Sequence, residues 1–155
     1  MNYKSLVLVL VTAELLLTTG CSGPLKQLGA HIDTVSTIYV ENTQEPATGL
    51  RVLFRYLEAN NPSIRALVTN LRSQLSALPN GTNRKRYAEE IYRHLRPRRE
   101  RLFQVRSSWQ KIAILDPATS EQMRNLGSIP VQEAQTAFDE SVSALFRDIQ
   151  RMISF

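Results

Sequence analysis

Ten of the 19 basic residues fall between positions 84 and 111: Arg84, Lys85, Arg86, Arg93, Arg96, Arg98, Arg99, Arg101, Arg106 and Lys111, with only Glu89, Glu90 and Glu100 against them. Arginine outnumbers lysine in the whole chain by 15 to 4. A guanidinium grips carboxylate or phosphate with two parallel hydrogen bonds, which an ammonium cannot do. On one helix, Arg93, Arg96, Arg99 and Arg106, with Arg98 beside them, would form a stripe able to hold an anionic partner. Tyr87, Tyr92, Phe103 and Trp109 interleave with these arginines. The competing expectation is that the aromatic rings pack inward and the arginines form a solvated face with internal glutamate partners.

Catalytic chemistry has little to draw on. His31 and His94 are the only histidines. His31 and Asp33 are two residues apart and so face different sides of a helix, and the arginines around His94 oppose its protonation. No metal-ligand spacing, nucleophile motif or glycine-rich phosphate loop is present. The reading is a binding protein rather than an enzyme, with no catalytic residue, no metal and no cofactor.

One cysteine, Cys21, follows a segment that reads as an export signal. Lys4 and the amino terminus supply positive charge, residues 6–17 supply an apolar run, and Thr18, Thr19 and Gly20 supply small residues. An apolar run of roughly 12 residues is short of the ~20 a helix needs to cross a bilayer. With no second cysteine the chain has no internal disulfide, so its stability must come from packing.

The run Leu17-Thr18-Thr19-Gly20-Cys21 resembles the lipobox of bacterial lipoproteins, in which a small residue precedes a lipid-modified cysteine. The resemblance covers these residues and not the rest of the chain. It implies that residues 1–20 are removed as a signal peptide, that Cys21 carries a diacylglyceryl thioether and an acylated amine, and that residues 21–155 form a lipid-anchored domain. Ser22, rather than an aspartate, after the cysteine implies sorting to the outer membrane, with the domain facing the periplasm. The formal net charge of +5 argues for an acidic partner. In that compartment nucleic acid is not expected, and the candidates are anionic lipid, lipopolysaccharide, peptidoglycan or an acidic protein.

The elements that would position these residues are helical throughout. Leu25, Leu28, Ile32, Val35 and Ile38 recur every three or four residues, which predicts a helix over about 24–42. A shorter helix follows and ends before Asn60-Asn61-Pro62, where a third begins with Asn61 as its cap. That helix runs to a turn at 79–81. Tyr87, Ile91, Leu95, Leu102, Val105, Trp109 and Ile112 keep one register through Pro97, which leaves open one long kinked helix or two. A short helix starting at Asp116-Pro117 or Thr119 and a strongly amphipathic one from Ser128 complete the chain. The fold class is therefore all-α, a single bundle of five or six helices.

Binding in the cell envelope is the expected function. In size and helicity the chain resembles the pilotin lipoproteins of secretion systems, which implies a secretion or surface-assembly accessory that positions a protein partner. An immunity lipoprotein that neutralises an antibacterial toxin fits the same features. So does a protein that binds lipopolysaccharide or peptidoglycan through its arginine-rich helix.

Overall fold

The computed structural model of the chain describes residues 22–79, 81–126 and 128–154; the leader and Cys21 lie outside them. Five helices account for nearly all of it, and no strand occurs among the described residues. They are α1 (Ser22–Glu41), α2 (Pro46–Ala77), α3 (Thr82–Ala113), α4 (Pro117–Leu126) and α5 (Ser128–Ile153).

The α1 helix buries Leu25, Leu28, Ile32, Val35, Ile38 and Tyr39 along one stripe. Its last carbonyls are taken up by side chains rather than by a glycine turn. Asn42 Nδ2 donates to the Ile38 carbonyl at 2.8 Å, and Thr43 Oγ1 donates to those of Tyr39 and Val40 at 3.0 and 2.9 Å. The chain then folds straight back into α2. Gly49 makes that return possible, because a Cβ there would lie 2.6 Å from Asn42 Cβ.

The expected boundary at residues 60–62 does not exist: α2 runs unbroken through Pro62. Leu57, Ile64 and Leu71 are seven apart and all fully buried, so one apolar stripe crosses the proline without losing phase. Pro62 sits on the exposed side, where the bend it imposes meets solvent. The preceding asparagines act inside the helix rather than as a cap. Asn60 Nδ2 donates to the Tyr56 carbonyl at 2.8 Å, and Asn61 Nδ2 reaches across to the Ala134 carbonyl of α5 at 2.9 Å. Pro97 is treated the same way, and α3 is one helix with Leu95 and Leu102 buried on either side of it.

Between the two long helices, Gly81 turns the chain with φ of 115°, a conformation other residues rarely adopt. The open carbonyls at the end of α2 are closed by the first turn of α3: Arg84 Nη2 donates to Ser76 and Nε to Leu78, at 3.0 and 3.1 Å. Asp116 starts α4 by accepting from the Thr119 amide at 2.9 Å and its hydroxyl at 2.6 Å.

Packing makes a single core drawn wholly from residues between Leu25 and Ile149. The α1 helix lies against α2 and α3, α5 lies against the same pair from another side, and α4 covers α2. Paired positions fix the directions. His31 meets Tyr56 and Gly49 approaches Asn42, so α1 and α2 are antiparallel. Gly29 faces His94 and Arg98 while Tyr39 meets Trp109, so α1 and α3 are parallel. Asn61 with Ala134 and Arg72 with Asp148 make α2 and α5 parallel. One end of the bundle therefore gathers the end of α2, the start of α3 and the end of α5. The other gathers the end of α1, the start of α2, the end of α3 and the start of α5.

Candidate functional site

The five arginines singled out in the sequence are brought into one helix but not onto one face. Arg106 turns inward toward α5 and holds Asp139 with two bonds, Nη1 to Oδ2 at 2.7 Å and Nη2 to Oδ1 at 3.0 Å. Its side chain is only 13 % exposed, and its guanidinium lies 5.6 Å from the centre of the Tyr39 ring. Burial alone would weaken its charge; the bonds to Asp139 and the Tyr39 oxygen beside it together outweigh that and raise its pKa above the ordinary arginine value. Tyr39, itself pushed up by burial, accepts a hydrogen bond from Gln135 at 3.2 Å and stacks edge-on against Trp109.

Arg98 turns the other way, toward α1. Its Nε donates to Asp33 at 3.0 Å and its Nη1 to the His94 carbonyl at 2.7 Å. Gly29 admits this contact, since the Arg98 and His94 side chains come within 3.1 Å of where a Cβ would stand. Burial, helped by the Arg98 charge, lowers the pKa of His94. Arg99 lies over two rings, 4.6 Å from the centre of Phe146 and 5.0 Å from that of Phe103. Arg96 pairs with Glu100 one turn on at 2.7 Å, both side chains more than half exposed, and leans over Tyr92. Only Arg93 projects into solvent with no carboxylate in ion-pair range among the described residues.

This arrangement makes Arg98 and Arg106 cross-braces between helices. An ion pair half exposed to water is worth little, but a two-pronged pair with a buried arginine fixes the angle between α3 and α5. Tyr92 and Trp109 go inward, Tyr92 against Phe146 and Trp109 into the core, whereas Phe103 stays exposed. The histidines are likewise tied to the fold. His31 Nδ1 lies 2.6 Å from the Tyr56 hydroxyl, and burial lowers the histidine pKa and raises the tyrosine's. The neutral ring and the hydroxyl share this hydrogen bond. Among the described residues no cluster of histidine, cysteine or acidic side chains is arranged to hold a metal ion. No described helix is long and apolar enough to cross a membrane.

What sequence reasoning missed are the two ends. The topology puts Lys85, Arg86 and Arg93 of α3 and Arg147 and Arg151 of α5 toward the end where α2 stops and α3 starts, and Lys26 of α1 lies near His94; all six are exposed. They come from three helices, so no window of the sequence collects them. A cavity of about 510 Å³ opens there between α2 and α3, lined by Gln74, Ala77, Leu78, Asn83, Tyr87 and Glu90 among others. Glu90, which lines it, lies on the stretch of α3 beside which α1 begins. The opposite end carries apolar groups instead. Ile114 and Leu115 are 79 % and 82 % exposed at the α3–α4 turn, and Ile129, at the start of α5, is 65 % exposed. Ile112 and Val40, at the ends of α3 and α1, are also exposed. Single exposed apolar residues are ordinary, and these five stand toward one end of the bundle rather than scattered over it.

No protein-family model matches the chain, and neither a curated protein nor a solved structure is similar to it.

Proposed function

We propose that the chain is an outer-membrane lipoprotein, anchored through Cys21 and facing the periplasm, whose helical bundle binds and positions a protein partner at the end remote from its anchor. The observation that carries this reading is the apolar tip of Ile114 and Leu115, with Ile112, Val40 and Ile129. The α1 helix joins the two features. It starts at Ser22, the residue after Cys21, and 20 residues later ends at the apolar tip, about 30 Å away at 1.5 Å per residue. Leu25 and Leu28 are already in the core, so no linker separates an anchor at Cys21 from the folded domain. A rigid spacer with lipid at one end and an exposed apolar cluster at the other suits a protein that holds a partner at a set distance from the membrane.

A photo-reactive residue in place of Leu115, irradiated in the living cell, tests this. A defined envelope protein should be captured from position 115 and not from Arg101, an exposed position midway along α3. Ile114→Lys with Leu115→Lys should abolish the capture, weakening the partner by tenfold or more, while stability changes by less than ~0.5 kcal/mol. A secretion or surface-assembly component would make the protein an accessory of that machine; a hydrolase or pore-forming toxin would make it an inhibitor. Equal capture from both positions, or none from position 115, contradicts a partner surface at this tip.

A further inference from the structure

We propose that the end of the bundle formed by the α2–α3 turn and the end of α5 is a membrane-facing surface that binds the phosphates of anionic lipid headgroups. The inference rests on the reading of Cys21 as the lipid anchor, and adds a second, electrostatic attachment that orients the domain.

Three observations lead to it. The first is where the chain leaves the fold. Since α1 runs parallel to α3 and Gly29 lies beside His94 and Arg98, Ser22 stands beside the stretch of α3 near Glu90. A residue joined to Ser22 thus emerges at this end. The start of α3 and the end of α2 project beyond it by seven or eight residues, about 10 Å of helix. Lipid attached at Cys21 would hold this projecting turn against the headgroups.

The second observation is the sign of the charge. Lys26, Lys85, Arg86, Arg93, Arg147 and Arg151 are exposed there, and none has a carboxylate within ion-pair distance among the described residues. The remaining charged groups of this end do not offset them. Arg72 and Asp148 neutralise one another at 2.6 Å, Arg84 is bonded to the carbonyls that end α2, and among the described residues Glu89 and Glu90 are the acidic side chains left. The rest of the described chain carries as many acidic as basic groups, so the net charge of +5 resides at the end from which the anchor emerges.

The third observation is the contrast with the four arginines that follow Arg93 toward the middle of α3, Arg96, Arg98, Arg99 and Arg106. Of these, Arg96, Arg98 and Arg106 hold carboxylates of the chain itself, and Arg99 lies on two rings. Of the basic groups left without such partners, half stand at the end nearest the anchor, where few acidic side chains oppose them; the other half, among them Arg51, Arg101 and Arg124, are spread over the rest of the bundle among an equal number of acidic and basic groups. A bilayer satisfies those nearest the anchor together because it is broad and flat, and the six come from three helices at the bundle's end rather than lining one pocket. Each basic residue near an anionic surface strengthens binding by about fivefold, an effect screened over roughly 8 Å at physiological salt.

The test uses residues 22–155 without lipid, which keep every core residue. Their sedimentation is measured with vesicles of phosphatidylcholine alone and of an equal mixture with phosphatidylglycerol. The chain should bind the mixed vesicles and not the neutral ones, and added salt should release it. Lys85→Ala with Arg86→Ala should weaken binding by about 20-fold, and Arg147→Ala with Arg151→Ala should do the same. Arg51→Ala with Lys111→Ala, two exposed positions away from this end, should leave it unchanged, and circular dichroism should be the same for all. Equal binding to both vesicle types, no binding to either, or equal weakening by the Arg51 and Lys111 pair would overturn the proposal. So would binding of soluble inorganic phosphate at affinities that account for the vesicle result. Each of these outcomes leaves the lipid on Cys21 untouched, since the protein tested has none.

Discussion

Arg106 shows how a residue that looks free in the sequence becomes structural. Its carboxylate partner, Asp139, is 33 residues away, and its aromatic partner, Tyr39, is in the first helix. Arg106→Ala would leave Asp139 without its two bonds and open the space beside Tyr39. Hydrogen bonds to charged groups are worth about 1.5–3 kcal/mol, and Asp139 is 42 % exposed, so the expected loss is near the lower figure, about 2 kcal/mol. Urea unfolding measures it; an unchanged midpoint would mean that the brace contributes nothing. His94 gives a pH dependence with a fixed sign. Burial and Arg98 hold its folded pKa below the ordinary 6.5, while Asp33 and Glu90 favour the charged ring and Lys26 opposes it. The folded state therefore resists protonation, and stability present above pH 6.5 is lost as pH falls from there through the folded value. His94→Gln should flatten that part of the stability profile, and an equally steep profile in the variant would refute the assignment. At this level the sequence told which residues carry charge but not where the charge goes. The density of arginine in α3 was plain, whereas Asp33 and Asp139, which claim Arg98 and Arg106, lie far away along the chain.

Pro62 and Pro97 pose one problem twice, and the contrast between them explains what the sequence made legible. Leu95 and Leu102 are seven apart, and so are Leu57 and Ile64; in both cases the apolar stripe keeps its phase and the helix continues through the proline. At Pro97 the sequence leaves a continuous helix open, whereas at Pro62 it predicts a boundary, because Asn60-Asn61-Pro62 has the composition of a cap. Composition of that kind is local, and tertiary packing outweighs it. Leu53, Leu57 and Ile64 are each buried to within about a hundredth of their surface, and separating them into two helices would expose that stripe. The asparagines reveal their role only in three dimensions, since the Asn61 bond to Ala134 spans 73 residues. Both prolines remain a local cost, as each removes a hydrogen bond on an exposed face. Pro97→Ala should therefore stabilise the protein, by about 1–3 kcal/mol in urea unfolding. A destabilised variant would mean instead that the bend itself seats Arg98 against Asp33. Of the three remaining helices, α1 and α5 are legible because their apolar stripes are long, and α4 because Asp116 before Pro117 marks its start.

The whole molecule is polar along its length in a way that no single helix is. The residues that differentiate the poles are scattered in the chain: Lys26, Arg86 and Arg151 at one, Val40, Leu115 and Ile129 at the other. Neither set forms a motif, which is why the fold class could be read from periodicity while the surfaces could not. The short run around Cys21 is the opposite case, wholly local and readable without a structure. The account proposed for them places lipid at Cys21, basic groups against the headgroups beside it, and an apolar tip about 30 Å away, along α1, for a protein partner. The anchor is the part on which the rest depends. It is tested most directly by mass spectrometry of the amino-terminal peptide of the protein recovered from membranes. The account predicts a mature chain beginning at Cys21, carrying a diacylglyceryl group on sulfur and a fatty acyl group on the amine, with residues 1–20 absent. A chain that keeps the leader, or begins elsewhere with an unmodified Cys21, would contradict it.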